Sequence, residues 1–255
     1  MILKPIYQPA GRAKEYGEYA CNIYSGCNHR CQYCFASSIL HKDRETFHTV
    51  VEQKRDIVES IKRQLDREHI TGKLIHLCFT CDPYPAEIDT MPTREIIKAI
   101  KAAGNNVQIL TKGGKRAERD FDLLDSEDWF GVTYTGGLDG VGCRTPNEPN
   151  AAPNSERFMS LSNAHRMGIR TWISMEPVLD VSGIFLSIAH DDFIDKFKIG
   201  KLNHHTLEDF GLPPIDWDAF GRECERLCKL HGRNYYLKED LRAEMERGKT
   251  DESTD

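Results

Sequence analysis

Cys27, Cys31 and Cys34 stand at a C-x-x-x-C-x-x-C spacing, with Cys21 six residues upstream. Thiolates this close in sequence converge more readily on one soft metal centre than on separate disulfides. The chain carries nine cysteines in 255 residues. Its opening Met-Ile-Leu-Lys-Pro-Ile-Tyr is too short an apolar stretch for a secretory signal, so the expected compartment is a reducing cytoplasm with free or metal-bound thiols. Zinc asks for four ligands, usually in paired C-x-x-C clips. Cys21 is the available fourth, at a spacing unusual for zinc. A four-iron cubane held by only three thiolates leaves one iron open to another ligand.

The rest of the chain supplies a scaffold for such a loop. Residues 1–18 read as an extended polar arm and residues 19–24 as a first strand running into the cysteines. Residues 53–68 carry Ile57, Val58, Ile61 and Leu65 at helical spacing. Residues 73–80 form a compact apolar run, a buried strand. A helix over 93–103 turns Ile96, Ile97 and Ile100 inward and stops at Gly104. Further strands are expected at 106–112, 129–135, 169–176 and 193–202, with a last short one at 234–237. Further helices are expected at 117–124, 155–167 capped by Ser155, 181–189, 217–231 capped by Asp216, and near Leu241. Residues 247–255 read as a disordered polar tail, leaving residues 1–246 as one domain with an N-terminal arm.

Strand and helix thus alternate six times, which means an α/β fold with a parallel sheet and right-handed crossovers. An open doubly wound sheet and a partial barrel both satisfy that order. The loops leaving strands are long, at 81–92, 136–154 and 203–215, whereas those entering strands are short. Sites in parallel α/β folds lie at the carboxyl ends of the strands, so the long loops are expected to gather over the cysteines.

The three-cysteine spacing, with aromatic Tyr33 before the last cysteine, resembles the signature of the radical S-adenosylmethionine (SAM) superfamily. Residues 22–27 and 34–36, the Thr80-Cys81-Asp82-Pro83-Tyr84 segment and Leu110-Thr111-Lys112 are similar to its spore photoproduct lyase-like branch. The resemblance selects a partial (β/α)6 barrel. It implies a 4Fe–4S cluster on Cys27, Cys31 and Cys34, with SAM chelated at the open iron. It also implies reductive cleavage of SAM to a 5′-deoxyadenosyl radical that takes hydrogen from a substrate. A flavodoxin- or ferredoxin-like protein would supply the electron.

Residues near strand ends are the further candidates. Thr80 and Asp82 suit the amino group of SAM, although Asp82 before Pro83 also reads as a turn residue. Lys112 suits its carboxylate, as a point charge with three donors, and Thr133 matches a hydroxyl of the branch's fourth strand. Ser174 and Glu176 share a strand face and are expected to bind ribose or substrate, with Glu176 catalytic. Glu176 sits among apolar neighbours and needs a partner. Lys198, Lys201 and Asn203 are placed in a similar part. Cys81 and Cys143, on candidate top loops, are read as hydrogen donors or ligands of a second cluster. The branch's repair enzyme uses a cysteine near the end of strand two, close to Cys78 and Cys81. Cys78, Cys224 and Cys228 are expected to pack in the core, and His204 and His205 to be solvated.

Charge bears on partners. The net charge of −6 argues against a protein that coats nucleic acid, and the basic stretch 112–116 reads as a solvated loop or a phosphate contact. No stretch approaches the ~20 apolar residues of a membrane span. Two substrate classes stay open: a nucleobase in DNA or RNA, and a peptide or small metabolite. A non-catalytic metal-binding module is the third reading.

Overall fold

The computed structural model describes residues 4–137 and 147–252. An arm leads in with β1 (Ile6–Tyr7) and a 3-10 turn (Gly11–Glu15). Then come β2 (Tyr19–Cys21), β3 (Tyr24–Ser25), α1 (Ala36–Ile39), α2 (Arg44–Thr49), β4 (Glu52–Gln53) and α3 (Ile57–Glu68). Next are β5 (Leu74–Leu77), α4 (Met91–Ala102), β6 (Asn106–Thr111), a 3-10 segment (Gly114–Leu123), β7 (Trp129–Thr133) and α5 (Asn154–Arg166). The chain continues with β8 (Arg170–Met175), α6 (Val181–His190), β9 (Lys196–Ile199), a 3-10 turn (Glu208–Phe210), α7 (Trp217–Leu230), β10 (Tyr235–Leu237) and α8 (Glu239–Glu252).

The main sheet runs β1-β2-β5-β6-β7-β8-β9-β10. Only β1 is antiparallel to its neighbour; every other pair is parallel. Strands follow chain order and the sheet does not close, which is an open, partial barrel. Parallel register separates two faces. Ile75, Leu77, Val107, Ile109, Phe130, Val132, Ile173, Phe197 and Ile199 form one, in the same core cluster as Ile57, Ile61 and Leu65 of α3 and Ile96, Ile97 and Ile100 of α4. Each fully buried aliphatic or aromatic side chain of this kind contributes about 1.5–3 kcal/mol. The other face is polar. Ala20 pairs with His76, His76 with Gln108, Thr133 with Ser174 and Ser174 with Lys198. These residues line the lumen. Gly131 is required there, because a Cβ would meet the Trp172 indole nitrogen at 2.3 Å.

The arm does more than extend. Tyr16 enters the lumen, its ring centroid 5.4 Å from that of His76, 5.5 Å from Phe79 and 5.9 Å from Trp172. Gln108 Nε2 donates to the Tyr16 carbonyl at 2.8 Å, and Lys198 Nζ donates to the Glu15 carbonyl at 2.8 Å. The arm therefore closes the lumen near the amino-terminal ends of the strands.

Several boundaries differ from the sequence reading for identifiable reasons. The strand expected at 19–24 breaks at Asn22, whose Oδ1 accepts from the N–H groups of Phe79 (2.8 Å) and Thr80 (3.0 Å). Its continuation, β3, pairs with β4 in a separate two-stranded sheet. The helix expected from residue 53 accordingly starts at Ile57. The second parallel strand stops at Leu77 because Cys78 takes φ +69°, so Thr80 lies on a loop. The segment expected as a helix at 117–124 is a 3-10 helix. Pro153, not Ser155, stands at the N-cap of α5, without a side-chain cap. Asp216 caps α7, accepting from Ala219 N at 3.0 Å. α8 runs past Arg247, where the sequence reading begins its tail. Among the described residues no helix is long and apolar enough to cross a membrane.

Candidate metal and cofactor site

The cysteine loop leaves the carboxyl end of β2 and is gripped by α2. Cys27 N–H donates to the Phe47 carbonyl at 3.0 Å, and His48 Nδ1 meets the Cys27 carbonyl at 2.7 Å. The Arg44 guanidinium donates to the carbonyls of Cys31 (2.8 Å), Gln32 (2.9 Å) and Cys34 (3.0 Å). A six-residue helix thus holds backbone at all three cysteines. Gly26 makes the approach feasible: at φ +93°, a Cβ would sit 2.3 Å from the Val50 carbonyl oxygen.

A second clamp comes from the neighbouring strand ends. Asp82 is 7% exposed. Its Oδ1 accepts from Tyr84 N (2.8 Å) and Thr111 Oγ1 (2.6 Å), and its Oδ2 accepts from Lys112 N (2.8 Å). His29 Nδ1 lies 3.4 Å from the same Oδ2, while Arg116 Nη2 reaches His29 Nε2 at 2.9 Å. A guanidinium only donates, so Nε2 accepts and Nδ1 carries the proton toward Asp82. Burial, opposed by Asp82 and helped by Arg116, pulls the His29 pKa down to about 4, so the ring is neutral. Burial alone would raise the Asp82 pKa; His29 and these hydrogen bonds hold it below the usual value. Asp82, expected at the amino group of SAM, has both oxygens engaged in joining the cysteine loop to the ends of β5 and β6.

On the other flank lies a network the sequence reading missed. Glu148 is 0% exposed and Arg157 1%. Arg157 Nη2 donates to Glu148 Oε2 at 2.5 Å, its Nε to the Ala152 carbonyl at 2.8 Å and its Nη1 to the Thr133 carbonyl at 3.0 Å. Tyr33, 8% exposed, donates its hydroxyl to Glu148. Burial works against the Glu148 charge, yet Arg157 and Lys112 bring its pKa down to about 2. The same segment holds loop backbone, with Gln32 N donating to the Asn147 carbonyl (2.9 Å) and Asn150 Nδ2 to the Asn28 carbonyl (2.9 Å). Glu148 lies 115 residues from Tyr33. A buried arginine on α5 was the available signal, and periodicity does not single it out.

Lys112 Nζ sits 5.7 Å from the Tyr33 ring centroid. Burial would lower its pKa, but the neighbouring Cys31 and the Glu148 carboxylate raise it above the usual value, so it stays an ammonium. It has no hydrogen bond to a side chain or carbonyl among the described residues. The three cysteine thiols are close electrostatic neighbours. Burial first, then Asp82 and the other two thiols, pushes Cys27 well up, and burial leads the rise of Cys31 to about 12. Buried thiols of this kind lose their protons when a metal takes their place. Among the described residues no three His, Cys, Asp or Glu side chains gather tightly enough for a single metal ion. Three cysteines of one loop beside a lysine would supply the ligands of a cluster with one position left open, whereas a zinc ion wants four close ligands.

The remaining candidates fall in other places. Ser174 Oγ (3.2 Å) and Glu176 Oε2 (3.1 Å) both meet the Tyr16 hydroxyl, so they do share the lumen face. Lys238 also binds Glu176, and Asn203 Nδ2 donates to Glu176 Oε1 at 3.1 Å. Glu176 thus has its required partners and is held within the lumen. Lys201 pairs instead with Glu244. Thr133 is 5% exposed, on the lumen face beside Ser174. Cys81 is a neighbour of buried Cys78. Burial opposes its thiolate, but a hydrogen bond from Cys78 and the N–H of Tyr24 lower its pKa. Cys21, Cys224 and Cys228 are fully buried core residues. His204 is stacked on Phe35 at 5.4 Å. Cys143 lies outside the described residues.

The chain is similar to known proteins in sequence and in fold. An uncharacterized protein of Methanocaldococcus jannaschii is 28% identical over 64% of this chain and 61% of its own length. An uncharacterized protein of Mycobacterium bovis is 33% identical over 42% of this chain and 32% of its own length. The chain therefore spans less than two thirds of either relative. Among solved structures, spore photoproduct lyase complexed with dinucleoside spore photoproduct superposes with a TM-score of 0.67, at 12% identity over 91% of this chain and 79% of that one. Streptococcus suis SuiB bound to precursor peptide SuiA gives 0.59, at 14% identity over 86% of this chain and 48% of that one. The family model of the Radical SAM superfamily matches residues 21–179, more than half of the chain, and the chain belongs to that superfamily of enzymes.

Proposed function

We propose that Cys27, Cys31 and Cys34 hold a 4Fe–4S cluster, that Lys112 binds the carboxylate of SAM, and that the reaction abstracts hydrogen from a nucleobase in DNA or RNA. The observation that carries the cofactor assignment is the Lys112 ammonium, kept charged beside Cys31 with no hydrogen-bond acceptor among the described residues. A carboxylate is the complementary ligand. When bound, the cluster supplies the electron that cleaves SAM to a 5′-deoxyadenosyl radical. The chain's own residues do the positioning. Arg44, His48 and Asp82 fix the loop; Glu148 and Arg157 orient Tyr33 and Lys112; the Tyr16 stopper keeps water from entering the lumen at the far end. Thr133, Ser174 and Glu176 line the lumen for SAM ribose or substrate, and Cys81 is the thiol assigned to return a hydrogen atom. A low-potential carrier of the flavodoxin or ferredoxin class provides the electron.

The nucleobase reading is supported by the fold shared with spore photoproduct lyase. One observation favours a peptide or small metabolite instead. A cleft of about 680 Å³ opens between α6 and α7, walled by Leu179, Phe185, Leu212, Ile215 and Phe220. Leu179 also packs with Cys31 and Tyr33. The test is isotopic: reduced protein with SAM is given oligonucleotides deuterated on their bases. Deuterium is expected in the 5′-deoxyadenosine. Undeuterated 5′-deoxyadenosine with every oligonucleotide, and deuterium from labelled peptides or metabolites, would reverse the choice.

A further inference from the structure

Four of the exposed large apolar side chains sit on one stretch beside the cysteine loop; one of them, Phe35, is stacked on His204. Ile39 is 56% exposed, Leu40 39% and Val50 50%, at the ends of α1 and α2. The two helices pack together, and Lys42 ties the end of α1 to Ser25 at 2.5 Å. The charge around them runs against that of the whole. Residues 30–55 hold five basic and three acidic side chains in a chain of net charge −6. Arg30 is paired with Glu45 at 2.6 Å, and Asp43 caps α2. Among the described residues, Lys42, Arg44 and Lys54 are the basic side chains of this stretch that have no acidic partner in an ion pair, with exposed Glu52 set opposite Ser25.

The patch also lies where the cysteine loop meets solvent. Arg44 is exposed, yet its guanidinium holds the carbonyls of Cys31, Gln32 and Cys34. Cys34 is partly exposed. On its other flank the loop is sealed by the buried Tyr33–Glu148–Arg157 network.

We propose that the α1–α2 face is the docking surface for an acidic one-electron carrier protein, with Ile39, Leu40 and Val50 as its apolar centre and Lys42, Arg44 and Lys54 as its steering rim. This rests on the assignment of Cys27, Cys31 and Cys34 as cluster ligands. One electron leaves the reduced carrier and enters the cluster; the carrier is oxidised by one electron and no proton crosses. An apolar centre with a complementary charged rim gives both contact energy and a salt-sensitive association rate.

The experiment compares two reductants. A flavodoxin reduced to its hydroquinone, or dithionite, drives 5′-deoxyadenosine formation by the reconstituted enzyme with SAM. Ile39→Glu with Lys42→Glu, and separately Val50→Glu, are expected to cut the flavodoxin-driven rate by about tenfold or more. The dithionite-driven rate stays within about twofold of the parent, as small surface changes do. Met167→Glu and Leu230→Glu, at the carboxyl ends of α5 and α7, should leave both rates unchanged. Flavodoxin affinity of the parent should fall as salt rises. Equal loss with both reductants, no loss with flavodoxin, or loss in the two control variants overturns the docking surface. Absence of 5′-deoxyadenosine from the parent with dithionite overturns the cluster assignment itself.

Discussion

Arg157 and Glu148 form a buried ion pair, Nη2 to Oε2 at 2.5 Å, against the cysteine loop. The pair is not isolated: Tyr33, Lys112, Ala152 and Thr133 complete the hydrogen bonding or the charge balance around it. Removing one member of a buried pair strands the other. Glu148→Gln is therefore expected to cost about 3–5 kcal/mol, read as a lower urea midpoint with unchanged m-value. The pH sign follows from the depressed pKa. Glu148 falls from 4.5 to about 2 in the folded protein, so its contribution is complete above about pH 4.5 and is lost as pH drops toward 2. The stability gap between parent and Glu148→Gln should shrink over that window. A constant gap would remove Glu148 from the ionised network.

Lys112 is the residue assigned to the carboxylate of SAM. Lys112→Met should weaken SAM binding by about ten- to a hundredfold, the range of one charge-assisted contact. Isothermal titration of the reconstituted protein measures it, and Lys112→Arg should recover part of the loss. An unchanged affinity in Lys112→Met would move the carboxylate elsewhere.

Gly26 lets the loop pass the end of α2. Gly26→Ala puts a side chain at φ +93° and a Cβ at 2.3 Å from the Val50 carbonyl oxygen. The loss should be about 2 kcal/mol or more in stability, together with reduced iron content after reconstitution. Full iron content and a parental melting temperature would mean that the loop is not held by α2.

Lys198 provides a test of the stoppered lumen. Burial, with Lys196 and Lys238 nearby, brings its pKa from 10.5 down to about 7. Below pH 7 the protein bears the whole cost of a buried ammonium. Between pH 7 and about 10.5 the unfolded chain binds more protons, so stability rises with pH through this group. Lys198→Met should thus be more stable than the parent at pH 6–7, with the advantage fading toward pH 10. A gap that does not change with pH would place Lys198 in water.

What the sequence disclosed follows from how local the interactions are. The cysteine spacing, the helical stripes of Ile57–Ile61–Leu65 and Ile96–Ile97–Ile100, and the Asp216 cap are set within a few residues, and the structure contains them. Ser174 and Glu176 were placed on one face by strand alternation, and both reach Tyr16. The arm that carries Tyr16 is another matter. Its partners are Ser174 and Glu176, 158 and 160 residues away, and a polar arm has no period that announces where it turns. Glu148 and Arg157 likewise read as ordinary surface charges until the fold buries them together. The strand expected to carry Thr80 ends early for a local reason: Cys78 leaves it at φ +69°. That turns the following loop so that Asp82 faces Thr111, Lys112 and His29.

The central claim is that three cysteines of this chain hold a cluster that cleaves SAM. Protein reconstituted with iron and sulfide under anaerobic conditions, reduced with dithionite and given SAM, should form 5′-deoxyadenosine, and the Cys31→Ala variant should form none. No 5′-deoxyadenosine from the parent, or equal amounts from Cys31→Ala, would contradict it.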